Sequence, residues 1–154
     1  MGEEYERKFL VLNDSWKDTA VGAFCRQGYL SAAKEHVVRV RTLSGKAFLT
    51  VKGLTVDHAR LEFEYTIPLA DATRLLDELC EKPLIEKTRY RVRHGDLVWE
   101  VDVFHGENEG LVVAEVELPS ADAPFLKPPW VGREVSSDPR YFNSNLLTRP
   151  YSCW

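Results

Sequence analysis

Charged side chains in this sequence recur at every second position. In a β-strand, alternate side chains leave the same face, so each such group would lie on one side of one strand. Lysine and arginine bind phosphate oxygens, and carboxylates hold divalent metal ions, so a face with both signs could bind a polyphosphate together with a metal. The groups are Glu4, Glu6 and Lys8; Arg39 and Arg41; Arg60, Glu62 and Glu64; Lys87, Arg89 and Arg91; Glu100 and Asp102; and Glu115 and Glu117.

Two arrangements explain a charged strand face. In an open sheet the polar face is simply in contact with water, which is the usual explanation for a single strand. Soluble surfaces, however, mix charges of both signs, whereas like charges here repeat at spacing two. A closed barrel of about eight antiparallel strands with the charged face inside, and helices covering the apolar outer face, accounts for the whole set better. Buried charges need partners, water or a ligand, and a metal polyphosphate satisfies both signs.

The elements that position these residues are mostly strands, which makes the fold mainly β with a few helices (α+β). Period-two alternation ends at turn residues such as Ser44-Gly45 and Gly95-Asp96, and the second pair predicts a tight hairpin. The predicted strands are Glu4–Leu12, Arg26–Leu30, His36–Leu43, Lys46–Leu54, Ala59–Ile67, Leu84–His94, Leu97–Phe104 and Leu111–Leu118.

Three segments are predicted to be helical. Ser15 and Asp18 have the spacing of a capping box and open a short helix toward Phe24. The segment Leu69–Glu81 should pack on the outside of the sheet through one apolar face, which consists of Leu69, Ala72, Leu75, Leu76 and Leu79. After a proline-rich extended stretch, Asp138 and Pro139 are typical of the start of a last short helix that ends at Leu147.

Composition limits the classes of function. The 154 residues and 17.6 kDa predict one domain over residues 1–154. With 20 Lys and Arg against 24 Asp and Glu, the net charge of −4 argues against a basic surface for nucleic acid. No apolar run approaches the roughly 18 residues of a membrane span. Three scattered cysteines, and an acidic start without signal-peptide features, predict a cytoplasmic protein.

Two common catalytic motifs are absent. Gly45-Lys46 is followed by Ala47 instead of Ser or Thr, so no phosphate-binding P-loop is present. The sequence also contains no Gly-x-Ser-x-Gly nucleophile motif. Covalent catalysis is therefore not expected.

An ordered set of short blocks resembles the CYTH superfamily, the triphosphate tunnel metalloenzymes. The first block, Glu4-Tyr5-Glu6-Arg7-Lys8, has the Glu-x-Glu-x-Lys form of that family. Together the blocks extend over almost the whole chain, and the length resembles the short bacterial branch. The other blocks are 27–30, 39–41, 50–53, 60–64, 86–90, 99–102, 115–117, 132–135 and 141–146.

The resemblance implies a closed eight-stranded tunnel that binds linear triphosphates with Mg²⁺ or Mn²⁺. In the short branch, the activity that it implies is hydrolysis of inorganic triphosphate to pyrophosphate and phosphate. It also suggests a homodimer. Relatives include adenylyl cyclases of class IV and nucleoside or thiamine triphosphatases, so these activities remain alternatives. A third alternative is a polyphosphate-binding module without catalysis, which the many carboxylates disfavour. No residue set supplies an adenine pocket.

The same resemblance assigns roles to individual residues. The first-strand lysine, Lys8, and Tyr29 are the candidate catalytic pair, which would position or deprotonate water; nearby cations are expected to lower the pKa of the Tyr29 phenol. The candidate substrate-binding residues are Lys8, Arg39, Arg41, Lys52, Arg60, Lys87 and Arg89. The candidate metal ligands are Glu4, Glu6, Glu62, Glu64, Asp102, Glu115 and Glu117.

A single magnesium site cannot use all seven carboxylates, because such a site takes one or two together with water and phosphate oxygens. Glu4, Glu6 and Glu117 are the first choices, and Glu115 is the next. Glu62, Glu64 and Asp102 could instead orient the cations or the attacking water.

Overall fold

Nine segments of the described part of the chain are strands, and eight of them form a closed antiparallel barrel. A computed structural model describes residues 2–57 and 59–154. The described strands are β1 (Gly2–Val11), β2 (Gly22–Ser31), β3 (Val37–Leu43), β4 (Lys46–Lys52), β5 (Ala59–Ile67), β6 (Ile85–His94), β7 (Leu97–Phe104), β8 (Val112–Leu118) and β9 (Val131–Glu134).

The barrel closes through the first strand. Neighbouring strands follow the order β5-β4-β3-β2-β6-β7-β8-β1, and β1 also pairs with β5, where Glu4 lies opposite Arg60. The other edge of β1 pairs with β8, which places Glu6 opposite Glu117 and Lys8 opposite Glu115. The prediction of a closed eight-stranded antiparallel barrel is therefore confirmed.

Two tight turns connect neighbouring strands as predicted. Leu97 lies opposite His94, so that only Gly95 and Asp96 form the β6–β7 turn, and Gly95 adopts a φ of 62° that glycine accepts without strain. Ser44 and Gly45 likewise join β3 to β4, with φ values of 53° and 76°. These short connections fix the register that turns each charged series to one face.

The predicted helix from Ser15 to Phe24 is mostly wrong. Only Ser15–Thr19 is helical, as a short 3₁₀ turn, and its side chains make no cap hydrogen bond. Phe24 already belongs to β2, which starts at Gly22 instead of Arg26. Gly22 lies so close to β6 that a Cβ atom there would be 2.6 Å from Thr88 Cγ2. The glycine that weakens a helix thus permits a close strand pairing.

Only part of the predicted second helix is an α-helix. Helix α1 (Leu69–Arg74) continues as one turn of π-helix, Leu75–Leu79. Ala72 and Leu76 are buried in a cluster with Val40 of β3 and Ala47 of β4, so this helical segment covers one side of the barrel. Leu69 and Leu79, which were predicted to share that apolar face, are exposed.

Helices cover less of the outer surface than the sequence predicts. Along β5, the outward side chains of Leu61, Phe63 and Tyr65 are exposed. Over β1, β7 and β8 the cover comes instead from Trp16 and from the extended segment that contains Trp130. The outer face of β5 is therefore an apolar strip in contact with solvent.

The C-terminal segment adds a strand that the sequence analysis missed. Strand β9 pairs with β1 beyond the point where β5 leaves it, with Phe9 opposite Glu134. The segment then forms two 3₁₀ turns, Pro139–Tyr141 and Asn143–Leu147, where one continuous helix was predicted. Asp138 caps the first of them by accepting a hydrogen bond from Arg140 N, as predicted. No helix in the described part of the chain is long and apolar enough to cross a membrane.

Candidate active site

The inward faces of the barrel strands surround a polar cavity of about 260 Å³. Strand parity places the side chains there, because residues two positions apart on a strand share a face. All candidate site residues except Asp102 line this cavity. They are Glu4, Glu6, Lys8, Tyr29, Arg39, Arg41, Lys52, Arg60, Glu62, Glu64, Lys87, Arg89, Glu115 and Glu117.

Two arginines on β3, the buried Arg41 and the partly buried Arg39, have donors without partners. Arg39 and Arg41 lie 3.7 Å and 3.3 Å from Glu64 Oε2, and Arg39 also donates to Thr50 Oγ1 at 3.4 Å. The Nε atom of each arginine is buried but has no hydrogen-bond partner within the described ranges. Buried donors are nearly always paired, so these two guanidinium groups fit a site that receives an anion.

Lys52 links the two closing strands of the barrel. Its Nζ lies 3.1 Å from Glu4 Oε1 on β1 and 3.2 Å from Glu62 Oε2 on β5. The lysine helps lower the pKa of Glu62, against the effect of burial. Burial instead raises the pKa of Glu4, which Lys52 opposes and Glu62 reinforces. Lys52 therefore offsets only part of the negative charge at this junction.

Asp102 lies beneath the cavity wall and holds two cations in place. Its two carboxylate oxygens accept from Arg89 Nε at 2.8 Å and from Arg89 Nη2 at 2.9 Å. Lys87 Nζ lies 2.9 Å from the same carboxylate. Burial opposes the charged form, but Arg89 and Lys87 outweigh it and lower the pKa of Asp102. This placement favours the orienting role over metal ligation.

The pKa shifts divide the remaining carboxylates into two groups. Lys8 and Arg89 overcome burial and hold the pKa of Glu115 well below its usual value. In contrast, burial raises the pKa of Glu6 to about 8, and Glu115 and Glu4 add to the rise. Glu117, directly opposite Glu6, also has a raised pKa because of burial and the nearby Glu4 and Glu62. Glu4 thus raises the pKa of both Glu6 and Glu117, and Lys52, which is shared between Glu4 and Glu62, balances only part of the negative charge of this group.

This donor set fits a hard divalent cation. No three His, Cys, Asp or Glu side chains in residues 2–57 and 59–154 already converge as a complete metal site. A magnesium site does not require that, since it commonly uses one or two carboxylates, several waters and the phosphates of its substrate. A cation beside Glu4, Glu6 and Glu117 would favour their ionised forms, which burial and the neighbouring carboxylates disfavour.

Tyr29 is inside the barrel, but its pKa shifts opposite to the prediction. Burial raises the pKa of the phenol, and this outweighs the lowering effect of Arg39 and Lys8. Gln27 Nε2 donates to Tyr29 Oη at 3.1 Å, which leaves the phenol proton free to donate. Near neutral pH Tyr29 is therefore a hydrogen-bond donor and not a base.

Replacing Tyr29 with phenylalanine should lower kcat for the cavity reaction about 10-fold at every pH, because it removes one donor to the reacting groups. The measurement is a pH–rate profile of both proteins from pH 6 to pH 10. Thermal unfolding checks that the variant remains folded. Loss of an alkaline limb in the variant profile would instead indicate that the phenolate acts as the base.

Several cavity residues were not assigned by the sequence analysis. Strand alternation places Glu100 on the inward face of β7 but gives it no role. Thr55, Ser136 and the segment 142–144 also line the cavity and are not among the predicted site residues. Asn143 accepts from Lys87 Nζ at 3.1 Å through Oδ1. The block 141–146 belongs to the family pattern, and in the sequence that pattern is the signal that points to Asn143.

Comparison with known proteins gives concordant matches along nearly the full chain. The CYTH domain profile matches residues 2–151. An inorganic triphosphatase of Acetivibrio thermocellus is 54% identical over 151 residues, which cover 98% of this chain and 97% of that protein. An inorganic triphosphatase of Nitrosomonas europaea is 38% identical, with coverage of 93% and 95%. The crystal structure of the inorganic triphosphatase NE1496 superposes with a TM-score of 0.66 at 35% identity, covering 94% of this chain and 93% of that one.

Proposed function

Because the chain belongs to the CYTH domain family, we propose that it is an inorganic triphosphatase, which hydrolyses inorganic triphosphate to pyrophosphate and phosphate. One observation carries the proposal. A single cavity combines two arginines whose buried Nε atoms have no partner among the described residues with carboxylates whose charge the nearby cations balance only in part. A polyphosphate with a divalent metal satisfies both sets at once.

The cations of the cavity would hold the phosphate chain. Arg39, Arg41 and Arg89 can each contact two phosphate oxygens through the planar guanidinium, whereas Lys52 and Lys87 act as point charges. Asp102 keeps Arg89 and Lys87 aimed at the cavity, which reduces the reorganisation needed when the substrate binds. Arg60 donates to Gly53 O at 3.0 Å and adds charge to the same wall.

Glu4, Glu6 and Glu117 would hold Mg²⁺ or Mn²⁺, with Glu115 kept ionised beside Lys8. When bound, the ion supplies neutralisation of charge on the phosphate oxygens. Lys8 remains an ammonium, because Glu115 and Glu6 raise its pKa more than burial lowers it. Lys8 and Tyr29 would therefore position the attacking water and stabilise developing charge instead of removing its proton.

The test is phosphate release from inorganic triphosphate by the purified protein with Mg²⁺, with Mn²⁺ and with EDTA. We expect turnover with either metal and none with EDTA. Arg39→Ala should lose activity, whereas Arg140→Ala, which removes an exposed surface arginine, should not. A folded protein that releases no phosphate under any of these conditions would reject the proposal.

The same assay separates the alternative activities. Incubation with ATP followed by product analysis distinguishes release of phosphate from formation of cyclic AMP and pyrophosphate. Cyclic AMP would favour an adenylyl cyclase. Tight binding of triphosphate without turnover under any metal would favour a binding module.

A homodimer is the proposed assembly. The exposed strip of Leu61, Phe63 and Tyr65 on β5 supports this proposal, since contiguous apolar surface often marks a protein interface. The strip lies on the outer face, so that association there would leave the cavity accessible. Sedimentation velocity distinguishes the dimer from the monomer.

The cytoplasm is the proposed location. Cys25 and Cys80 are buried thiols, and Cys153 is an exposed thiol. All three are unpaired, which suits a reducing compartment.

A further inference from the structure

One end of the cavity is bounded by apolar side chains. On five strands, a charged residue on the inward face has an apolar neighbour two positions away on the same face. The apolar residues belong to one cluster with Tyr141, Leu146 and Leu147 of the C-terminal segment. The pairs are Lys8 and Leu10, Arg39 and Val37, Lys87 and Ile85, Asp102 and Phe104, and Glu115 and Val113.

The cavity side chains become more exposed to solvent with distance from this apolar cluster. The side chains of Lys87 and Asp102, next to the apolar cluster, are 1% and 0% exposed. Those of Glu64 and Glu100, farther along the strand faces, are 34% and 35% exposed. The end beside Lys87 is therefore blind, and the cavity opens on the side of Glu64 and Glu100.

Asn143 lies at the blind end with one polar group unused. Its Oδ1 accepts from Lys87 Nζ at 3.1 Å, and this orientation of the amide is fixed because an ammonium can only donate. The amide nitrogen Nδ2 then remains on the cavity wall with no acceptor among the described residues. Lys8 Nζ also lies near this segment, 3.5 Å from Tyr141 O. Two cations and one free neutral donor therefore meet where the cavity ends.

We propose that this blind end is a pocket for the terminal phosphate of a linear chain, and that Asn143 is a binding residue in it. Lys87 and Lys8 balance the charge of the terminal group, and Asn143 Nδ2 donates to one of its oxygens. The rest of the chain extends toward the open mouth, so that additional phosphates or an organic group are tolerated at one end only. The proposal rests on the proposed function and specifies its substrate class: polyphosphate chains with at least one free end.

The first experiment compares three chains of four phosphates, which have neither, one or both ends capped. The probes are inorganic tetraphosphate, adenosine 5′-tetraphosphate and diadenosine tetraphosphate, and binding is measured calorimetrically with EDTA present. The first two should bind, and the doubly capped chain should bind at least about 10-fold more weakly than the singly capped one. Each cap removes negative charge and therefore weakens binding by itself. The proposal predicts that the second cap, which removes the last free end, lowers the affinity by a larger factor than the first cap. Equal losses at the two steps would overturn the proposal.

The second experiment tests Asn143 against a matched neighbour. Asn143→Ala should weaken binding of inorganic tetraphosphate about 10-fold, since a hydrogen bond to a charged group is lost. Asn145→Ala is the control, because the Asn145 side chain donates to Pro139 O and does not line the cavity. Its affinity should equal that of the parent protein, and both variants should keep a cooperative thermal transition. Equal affinities of the Asn143→Ala and Asn145→Ala proteins would overturn the assignment.

The two proposals fail in different ways. If the protein releases phosphate from triphosphate but shows no preference for a free end, the terminal-pocket proposal is wrong and the proposed activity stands. If binding requires a free end but no metal supports phosphate release, the proposed activity is wrong and the terminal-pocket proposal stands.

Discussion

Asp102→Ala should lower the melting temperature of the protein by roughly 6–20 °C at pH 7. The substitution leaves Lys87 and Arg89 buried without their shared partner. Removing one member of a buried ion pair costs about 3–5 kcal/mol, and each kcal/mol corresponds to about 2–4 °C for a chain of this size. Differential scanning calorimetry in EDTA measures the change without a contribution from bound metal.

Glu78→Ala is the control for that experiment. Arg74 Nε and Glu78 Oε2 are 2.7 Å apart, but both side chains are largely exposed, so losing this pair should leave the melting temperature almost unchanged. Asp102→Asn keeps the side-chain volume and serves if the alanine variant does not fold. A change of about 2 °C corresponds to about 1 kcal/mol or less for a chain of this size. If the melting temperatures of both Asp102 variants lie within about 2 °C of the parent value, the role assigned to this carboxylate is wrong.

The effect of Asp102→Ala should also depend on pH. The cations lower the pKa of Asp102 in the folded protein below the 3.8 expected when it is unfolded. A lowered folded-state pKa adds stability that is present above the unfolded value and is lost as pH falls through the folded one. The difference in melting temperature between parent and variant should therefore be constant near neutrality and narrow below about pH 4.

Glu6→Gln should have opposite effects on stability and on activity. In the metal-free protein, burial, Glu115 and Glu4 raise the pKa of Glu6 to about 8. A raised pKa means that stability is greatest at low pH and falls as pH rises from the unfolded value through 8. Glutamine does not titrate, so the variant should be more stable than the parent at pH 9, with a difference that grows between about pH 5 and 8 and then levels off.

The activity of the same variant should fall at least about 100-fold, because the substitution removes a candidate metal ligand. Replacing residues that only hydrogen-bond to metal ligands already lowers metal affinity or activity by about 10–100-fold. Thermal unfolding in EDTA, at several pH values, tests the stability effect. Added Mg²⁺ should then stabilise the parent at pH 9 and leave the Glu6→Gln protein nearly unchanged. If Mg²⁺ stabilises both proteins equally, Glu6 is not a ligand.

Strand alternation predicts which side chains face the interior, but not how deep they lie. Glu100 and Asp102 share one face of β7, yet Glu100 lines the cavity and Asp102 is completely covered. The difference arises from the apolar cluster beneath Asp102, which involves strands far apart in sequence. Depth also determines the pKa of Tyr29, because burial raises it more than the nearby cations lower it.

The local predictions that failed depend on tertiary contacts. The segment 20–24 looks helical in isolation, but Gly22 and Phe24 pair with Tyr90 and Thr88 of β6. Strand β9 is only four residues long and follows a proline-rich stretch, so it has no alternation pattern of useful length. Its partner β1 is what makes it a strand. Asn143 is likewise a cavity residue only because the C-terminal segment packs across the barrel end.

The pairing of β1 also determines when the cavity can exist during folding. Lys8 N donates to Ser136 Oγ across a separation of 128 residues, and both edges of β1 are occupied by strands from later in the chain. Contacts between such distant segments are entropically costly and form slowly. Strand β1 therefore completes its pairing only when segments far along the chain have joined it. The ligand-binding interior depends on these long-range pairings, because β1 carries Glu4, Glu6 and Lys8.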